Sequence, residues 1–403
     1  GNYSIHSSSS LTLMNYLEIK VQGSNGHPIS GVDIKIVTGN DIQYSSSHYG
    51  GNDAQTDSSG EISEQLLTYR TYEGNTSTNH TTQLYVWYEG TEKVLNLDMT
   101  SHRHETINLS FLIVDKNGNG HYTTLEAALS NASAGDTVRV WAGTYYENIV
   151  VNKTISLLGN GTNTIINGSY SNYTVWVSAD GVVIDGFIIE GTHDSASDGT
   201  EPTNNSGLVV YYSDNVTVSN LSFRENSQSL LIRNSDYAII RDSSFVTNLT
   251  GIFLDNSERY VIHHNDFQPN LPNGEFPTDP YACTHNIYNS GTVENVSIHN
   301  NTMGACWTGM WLPVVSDSII RDNVLISDNR AGNGISTTTN YNKFINNTIK
   351  YFGIKGFGLG MNADYNLFED NYLEDNGFDF KIQGGSENNT VINSIFSKVY
   401  VDN

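Results

Sequence analysis

Two polar segments of the sequence carry the residue types that acid–base chemistry on sugars requires. The candidates are His193 and Asp194 in the first segment (about 191–206) and Asp279 and His285 in the second (about 268–285). Lyases and hydrolases need paired carboxylates, or a carboxylate-bound metal together with a base. The segments supply these types without a recognisable spacing. They therefore predict a cleft that could act on polysaccharide, and they assign no catalytic role to any single residue.

A second set of side chains recurs at intervals of 22 or 36 residues. Its members are Ser219, Arg241, His263, His299 and Arg321. Each flanks an aliphatic position in a short alternating run, so in a strand all of them would point outward and line one face. Such a face could seat an anionic polysaccharide, and this is our ligand-binding hypothesis for Arg241, His263, His299 and Arg321. Ordinary solvated surface charge is the alternative.

One stretch fits the loop pattern of an EF-hand calcium site. Asp115, Asn117, Asn119, Gly120 and Glu126 match D-x-N-x-N-G-x5-E at each required position. An EF-hand needs a helix before the loop, and the sequence before residue 115 is strand-like. A turn that leads into a helix explains the same residues. The sequence is therefore compatible with calcium binding, and it does not require any cofactor.

The elements that position these residues come from a short repeated phrase. It reads aliphatic, any, Asn or Asp, any, any, large apolar, and its first positions are mostly 22 to 24 residues apart. The phrases are Val218/Asn220/Phe223, Ile240/Asp242/Phe245, Ile262/His264/Phe267, Ile298/Asn300/Met303, Ile320/Asp322/Leu325, Phe344/Asn346/Ile349, Phe368/Asp370/Leu373 and Val391/Asn393/Phe396. A fixed period of this length is typical of a solenoid, and the short β-branched runs predict strands.

The polar position of the phrase is predicted to be scaffolding rather than a row of functional groups. Asn tolerates left-handed turns, and its amide can bond along a stack of like residues. Asn220, Asn300 and Asn346 also begin Asn-x-Ser/Thr sequons. We expect this ladder to face inward, where an amide cannot carry glycan, so these three sequons are interpreted as accidental. The better acceptors are those in predicted loops: Asn75, Asn79, Asn172, Asn204 and Asn248.

Two repeats carry about a dozen extra residues each, and these are the two polar segments described first. Both begin shortly after the phrase, so they should leave the cylinder at one corner. Cys283 and Cys306 are 23 residues apart, one repeat. Stacked positions on adjacent rungs lie ~4.8 Å apart, close enough for a disulfide in an oxidising compartment.

The segment FLIVDKNGNGHYTTLEAALSNASAGDTVRVWAGTYYENIVV…ISLLGNGTNTIING resembles the opening of right-handed parallel β-helices of the pectin-lyase-like superfamily. It is similar both to pectin methylesterases and to NosD-like surface proteins. The resemblance implies an all-β fold: a single-stranded parallel β-helix over residues 110–403 with a cap helix near 122–133. The methylesterase motifs QDTL, DFIFG and LGRPW are absent, and so is a Met/His/Cys cluster to match the copper linked to NosD.

The N-terminal part reads as a separate small domain. Residues 1–14 form a flexible tail or a strand that could be donated to another sheet, and about seven alternating strands over 15–109 predict a β-sandwich. The stretches GHPISGVDIKIV and TDSSGEI resemble the carboxypeptidase-regulatory-like, Ig-type domains of secreted proteins. We find no nucleophile elbow, phosphate-binding loop or zinc-ligand spacing in the chain.

Composition limits the partners. The net charge of −24 argues against nucleic acid and anionic membranes, and no apolar run is long enough to span a bilayer. Sequons and the cysteine pair favour a secreted or cell-surface location. We therefore predict a glycosylated structural or adhesive surface protein, with a polysaccharide-acting enzyme or a carbohydrate-binding module as alternatives. An uncovered last rung would let copies stack head to tail into a filament.

Overall fold

The computed structural model describes residues 9–23, 26–88, 91–192, 205–246, 250–268, 284–304, 306–327 and 332–402. The chain divides into two compact units, residues 1–111 and 112–403. Each unit has its own architecture, and the predicted boundary at 109/110 falls close to the observed division. In the described residues no helix is long and apolar enough to cross a membrane.

The N-terminal unit contains two four-stranded sheets. The first has the order β5-β4-β1-β8, with β1 (Ser10–Gly23), β4 (Gln65–Glu73), β5 (Thr76–Asn79) and β8 (Arg103–Leu109). The second has the order β3-β2-β6-β7, with β2 (Asp33–Thr38), β3 (Asp41–Ser45), β6 (Thr82–Tyr88) and β7 (Thr91–Leu97). Alternate residues such as Leu17, Ile19 and Val21 are buried, as period-2 patterning requires. The sheets agree with a sandwich, and the Ig-type resemblance stays a prediction.

Part of the predicted tail belongs to a strand. Residues from Ser10 onward lie in β1, where Ser10 pairs with Glu73 and Leu13 pairs with Arg70 of β4. The backbone of this part is therefore already engaged within its own unit. Residues 1–8 lie outside the described residues.

A short helix precedes the regular rungs of the second unit. The helix α1 (Leu125–Asn131) buries Leu125, Ala128 and Leu129, as the sequence pattern predicts. Two side chains cap its first turn. Thr124 Oγ1 accepts from the backbone amide of Ala127, and the Glu147 carboxylate accepts from the backbone amides of Leu125 and Glu126. The helix is shorter than the predicted 122–133.

The second unit is a right-handed parallel β-helix of about 11 turns with three long sheets. Sheet A contains β9 (Phe111–Val114), β10 (Thr137–Val140), β13 (Ser156–Leu158), β16 (Val183–Asp185), β19 (Thr217–Ser219), β22 (Ile239–Arg241), β25 (Val261–His263), β29 (Ser297–His299), β33 (Ile319–Arg321), β36 (Lys343–Ile345), β39 (Leu367–Glu369) and β42 (Thr390–Ile392). Sheet B contains β11 (Gly143–Tyr145), β14 (Thr164–Asn167), β17 (Ile188–Thr192), β20 (Ser222–Asn226), β23 (Ser244–Val246), β26 (Asp266–Gln268), β30 (Thr302–Met303), β34 (Val324–Ile326), β37 (Thr348–Lys350) and β40 (Tyr372–Glu374).

Sheet C closes each turn of the helix. It contains β12 (Ile149–Val151), β15 (Tyr173–Val177), β18 (Ser206–Tyr211), β21 (Gln228–Arg233), β24 (Thr250–Asp255), β27 (His285–Ser290), β31 (Thr308–Leu312), β35 (Asn333–Thr337), β38 (Lys355–Leu359), β41 (Phe378–Ile382) and β43 (Val399–Val401). A minor two-stranded sheet pairs β28 (Val293–Glu294) with β32 (Val315–Ser316), and two 3-10 turns lie at Ser47–Tyr49 and Gly161–Asn163.

The repeated phrase corresponds to one turn of this helix. In the first seven phrases the first position lies in sheet A, the last apolar position lies in sheet B, and both side chains enter the core. In the last phrase Val391 and Phe396 are 42% and 37% exposed. Like residues stack between rungs: the ring centroids of Phe223 and Phe245 are 5.0 Å apart, and those of Phe245 and Phe267 are 4.5 Å apart. Burying one such ring stabilises the fold by ~2–3 kcal/mol, so a thin repetitive core suffices.

The polar position of the phrase faces solvent, which corrects our expectation of an inward ladder. Residues 220, 242, 264, 300, 322, 346, 370 and 393 all have φ between 48° and 55°, the left-handed turn that joins sheet A to sheet B. This turn explains the preference for Asn and Asp. Asn220, Asn300 and Asn346 are exposed. Because these three side chains face solvent, burial gives no reason to exclude their sequons from glycosylation.

The inward amide ladder is formed by the next residue along the chain. Asn301 Nδ2 donates to Asn323 Oδ1 at 3.0 Å, and Asn323 Nδ2 donates to Asn347 Oδ1 at 3.0 Å. Each Oδ1 also accepts from the backbone amide one rung away, as Asn347 Oδ1 does from Asn323 N. These buried amides satisfy one another and the turn backbone, which fixes the stacking of the rungs.

The two polar insertions connect the same pair of sheets. Residues 193–204 lie between β17 and β18, and residues 269–283 lie between β26 and β27, so both join sheet B to sheet C. This position agrees with the predicted common corner. The insertions themselves lie outside the described residues.

Candidate functional site

A cleft of about 580 Å³ lies on the outer face of sheet C. Its lining residues are Thr284, His285, Trp307, Thr308, Trp311, Asn333, Ser336 and Lys355. Six of them occupy two columns of the sheet, and Thr284 and Trp307 immediately precede β27 and β31. His285 pairs with Thr308, Thr308 with Asn333 and Asn333 with Lys355, while Trp311 pairs with Ser336 in the second column. Parallel registration therefore brings four consecutive rungs into one site.

Aromatic rings form the floor and one wall of this cleft. The centroid of the His285 ring lies 5.0 Å from that of Tyr288 and 5.2 Å from that of Trp311, at interplanar angles of 25° and 28°. Trp307 and Trp311 nevertheless remain 45% and 41% exposed. Large apolar rings that stay open to solvent inside a concave site are typical of ligand-binding surfaces.

A second apolar cluster adjoins these aromatic rings on the outer face of sheet C. Val209, Leu231 and Phe253 are at most 3% exposed, although they lie on the opposite side of the strands from the inner core. Phe253 stacks on Tyr288 at 4.9 Å. The outer face of sheet C is thus rigidly packed beside the cleft, which holds its aromatic rings in fixed positions.

Within the described residues, one polar group of the cleft lacks a hydrogen-bond partner and another lacks an ion pair. The buried hydroxyl of Ser336 has no hydrogen-bond partner. Lys355 forms no ion pair within the described ranges, and burial together with the nearby Lys381 lowers its pKa. Leaving the buried Ser336 hydroxyl unpaired costs ~1–3 kcal/mol, so a ligand that completes its bonding would remove this cost.

Burial lowers the pKa of His285 to about 4. The imidazole is therefore neutral near pH 7 and offers one donor and one acceptor nitrogen beside the tryptophan rings. Together, Trp307, Trp311, Asn333 and Lys355 provide stacking surfaces, an amide and an ammonium group. This arrangement can hold a sugar ring by its apolar face, its hydroxyls and an attached carboxylate.

The predicted ligand-binding column lies on the outer face of sheet A. Register pairs Arg241 with His263, His263 with His299 and His299 with Arg321, so the structure brings these four residues into one row. Its charges are largely matched locally, because Arg241 Nη1 donates to Asp242 at 2.6 Å and Arg321 Nη1 donates to Asp322 at 2.5 Å. Polysaccharide binding by this column stays a prediction.

The surroundings of the two histidines of this column lower the pKa of each imidazole. Partial burial, followed by His264 and Arg241, lowers the pKa of His263. Partial burial and Arg321 lower the pKa of His299. The rings of His263 and His299 stack at 5.1 Å. The column therefore carries less positive charge than the sequence suggests.

The EF-hand-like stretch forms a closed turn. Asp115 Oδ1 accepts from the backbone and side-chain amides of Asn117, and Oδ2 accepts from those of Asn119. These bonds lower the pKa of Asp115, the Asn117 amide contributing most. The strand β9 precedes the turn, and Glu126 lies exposed in the first turn of α1. The turn satisfies its own carboxylate, and calcium binding stays a prediction.

Several predicted residues lie outside the described part of the chain. These are His193, Asp194, Asp279, Cys283, Asn204 and Asn248. Cys306 Sγ lies 3.0 Å from Asn286 Oδ1, and the Cys283–Cys306 disulfide stays a prediction. Asn75, Asn79 and Asn172 are exposed, so their predicted glycosylation meets no steric obstacle from burial.

Sequence reasoning found His285 and missed the rest of the cleft. Trp307 and Trp311 stand four residues apart in GACWTGMWLP, which holds two of the five tryptophans of the chain. That concentration was a usable signal. The sequence around Ser336 and Lys355 contains no such signal, because their proximity to the tryptophans depends on stacking between rungs.

A family model described as periplasmic copper-binding protein (NosD) matches residues 129–276 and 281–403. These ranges cover well over half of the chain. No curated protein sequence matches the chain.

Several solved structures are similar in chain path. An alginate lyase from Paenibacillus sp. str. FPU-7 is 16% identical, covers 68% of this chain and 95% of its own, and has a TM-score of 0.46. A family 28 exopolygalacturonase from Yersinia enterocolitica is 12% identical, with coverages of 92% and 93% and a TM-score of 0.45. A hyperthermoactive exopolygalacturonase from Thermotoga maritima is 11% identical, with coverages of 68% and 86% and a TM-score of 0.49.

Proposed function

The chain belongs to the NosD family, and we propose that this member is a polysaccharide-binding protein that acts outside the cytoplasm through the sheet C cleft. NosD is a periplasmic family, which supports the location. A binding cleft on a rigid solenoid suits an adhesive or structural surface protein, in agreement with the role expected from the sequence.

The observation that carries the proposal is the combination of open tryptophan rings with unpaired polar groups. Trp307 and Trp311 offer two flat apolar surfaces, while Ser336 Oγ has no hydrogen-bond partner and Lys355 no ion pair in the described residues. A sugar has apolar C–H faces and a rim of hydroxyls, so one ring can cover a tryptophan and pair these groups simultaneously.

The cleft favours an acidic sugar over a neutral one. Burial disfavours the charge on Lys355 and lowers its pKa, and repulsion by the neighbouring Lys381 adds to this effect. A uronate carboxylate would offset both effects by pairing with the ammonium group in a partly desolvated site. We therefore assign a uronate-containing polysaccharide as the ligand class.

The family description names copper, which would need several His, Cys, Asp or Glu ligand atoms close together in the β-helix. Within the described part of the family-matched region, no three His, Cys, Asp or Glu side chains bring their ligand atoms within 4.8 Å of one another. His263 Nδ1 and His264 Nδ1 are 2.7 Å apart and hydrogen-bond each other. The described residues of the family-matched region therefore do not fit a copper site.

Catalysis on the bound polysaccharide stays a prediction. Its candidate carboxylates, Asp194 and Asp279, lie outside the described residues, and the described lining of the cleft contains no carboxylate. Release of unsaturated or reducing sugar from a bound polyuronate, lost on changing His193, Asp279 or His285, would add enzyme activity to binding. Self-assembly into filaments likewise stays a prediction, and sedimentation velocity at high concentration measures it.

The test of binding uses single alanine variants of the two exposed tryptophans. We expect Trp311→Ala and Trp307→Ala each to weaken polyuronate binding by about tenfold or more, because central aromatic residues dominate such sites. Isothermal titration calorimetry with oligogalacturonate and oligoalginate measures the change.

Tyr146→Ala is the matched control, since Tyr146 is an aromatic residue of the same β-helix that is 72% exposed and lies many rungs from the cleft. This control should bind like the unchanged protein. Equal affinities in all three variants, or no saturable binding of any acidic or neutral oligosaccharide, would refute the proposal.

A further inference from the structure

Two histidines and a glutamate meet on the outer face of the first sheet of the N-terminal unit. Glu18 lies in β1, His104 lies in β8, and His102 immediately precedes β8. The parallel pairing of β1 with β8 sets Glu18 opposite His104. Because side chains alternate along a strand, His102 and His104 lie on the same face.

The three side chains bring their ligand atoms into one small volume. Glu18 Oε2 lies 2.5 Å from His104 Nδ1, and Glu18 Oε1 lies 3.5 Å from His102 Nε2. All three ligand atoms lie within 4.8 Å of one another, and no other group of this kind occurs in the described residues. Ligand atoms around tetrahedral zinc are separated by ~3.3 Å, given bonds of ~2.0 Å. Small side-chain rotations would reach that spacing.

We propose that Glu18, His102 and His104 form a binding site for a divalent transition metal such as Zn²⁺. Two imidazoles and one carboxylate are a donor set that suits borderline metals and disfavours Ca²⁺ and Mg²⁺, which prefer oxygen ligands. The site lies outside the family-matched residues and is independent of the carbohydrate cleft.

The surroundings of the site leave room for exchangeable ligands. The side chains of Glu18, His102 and His104 are 45%, 42% and 69% exposed, so water would complete the coordination. The neighbouring cation Arg103 belongs to the opposite face, where it pairs with Glu105 at 2.7 Å. Bound metal would join β1 to β8 and stabilise the sheet that they share, because it binds the folded arrangement alone.

A surface ion pair between Glu18 and the histidines is the alternative role of the same residues. Such pairs contribute ~0–1 kcal/mol and need no metal. If the residues form a metal site, removing one of them should weaken metal binding. If they form only an ion pair, the removal should leave metal binding unchanged.

The experiment titrates the full chain, freed of metal by chelation, with Zn²⁺ and separately with Co²⁺ as a spectroscopic probe. We expect one strong equivalent, visible Co²⁺ absorption typical of low coordination, and a rise in unfolding temperature with Zn²⁺. Glu18→Gln, His102→Gln and His104→Gln should each weaken Zn²⁺ binding by at least about tenfold. Without metal, each variant should unfold within a few degrees of the unchanged protein, because the residues are exposed.

The matched control is His263→Gln combined with His264→Gln, which removes two adjacent histidines from the β-helix. This double variant should retain the strong equivalent. The proposal is overturned if the protein shows no saturable Zn²⁺ binding. It is also overturned if the triple variant at residues 18, 102 and 104 binds Zn²⁺ unchanged, or if the control variant alone loses it.

Discussion

The outer faces of sheets A and C carry histidines on the same rung yet differ in how their side chains are satisfied. His263 begins its rung in β25 and His285 continues it in β27. On sheet A the column of His263 is flanked by arginines that pair with Asp242 and Asp322. On sheet C, His285 lies against stacked aromatic rings, beside Ser336, which has no hydrogen-bond partner, and Lys355, which has no ion pair in the described residues.

This difference distinguishes a solvated surface from the proposed binding site. Where charges pair with adjacent residues, water and neighbours meet every requirement and a ligand gains little. Where rings are open and buried polar groups are unpaired, a ligand removes an existing cost as well as making contacts. Three predictions test whether the contrast holds.

The largest expected effect concerns the pH dependence of stability. The pKa of His285 is about 4 in the folded protein, against ~6.5 when unfolded. Between these values the unfolded chain binds a proton that the folded chain does not, so the free energy of unfolding falls as pH drops from 6.5 to 4. The loss attributable to this group is on the order of 2 kcal/mol.

His285→Gln should flatten this part of the stability curve, measured by denaturant unfolding at several pH values. His263→Gln is the control from sheet A. Its side chain is less buried, so its removal should change the slope less than the His285 variant does. Equal slopes in the unchanged protein and in His285→Gln would show that the imidazole is not held neutral by the cleft.

The second effect concerns charge recognition in the cleft. Lys355→Gln keeps a polar side chain and removes the ammonium group, so affinity for a polyuronate should fall by about tenfold while affinity for a neutral glycan stays within about twofold. Titration at two salt concentrations should also show a weaker salt dependence in the variant. A parallel fall for acidic and neutral ligands would instead indicate that Lys355 supports the shape of the cleft.

The smallest effect is expected on sheet A. Arg241→Gln and Arg321→Gln each remove one half of an exposed ion pair, worth ~0–1 kcal/mol. We expect polyuronate affinity to change by less than about twofold in both variants, measured in the same titrations. A loss as large as that of Lys355→Gln would move the binding site to sheet A and reverse the comparison.

The turn between sheets A and B shows how close sequence reasoning came and where it failed. The spacing of the phrase located each rung, and its preference for Asn and Asp correctly indicated left-handed turns at positions such as Asn346. It assigned the inward ladder to that position, whereas Asn347, one residue later, supplies the buried amide. In NN pairs the two roles belong to chemically identical side chains, so composition could not separate them.

The candidate sites show a similar division. The pair Trp307 and Trp311 was visible as a local concentration of aromatic residues, and His102 and His104 as an H-x-H spacing at the start of a strand. Their partners were not visible. Lys355 lies two strands beyond Trp311 in sheet C, and Glu18 lies 86 residues before His104.

The sequence by itself determined the β-helix, because a period of 22 to 24 residues and alternating apolar positions permit one way of burying the core. It also determined the cap helix and the corner from which both insertions leave. Tertiary structure decided which outward columns adjoin, which charges are paired, and which polar groups are left for a ligand. Those properties depend on contacts between rungs and between paired strands, and such contacts join residues whose separation along the chain carries no local signal.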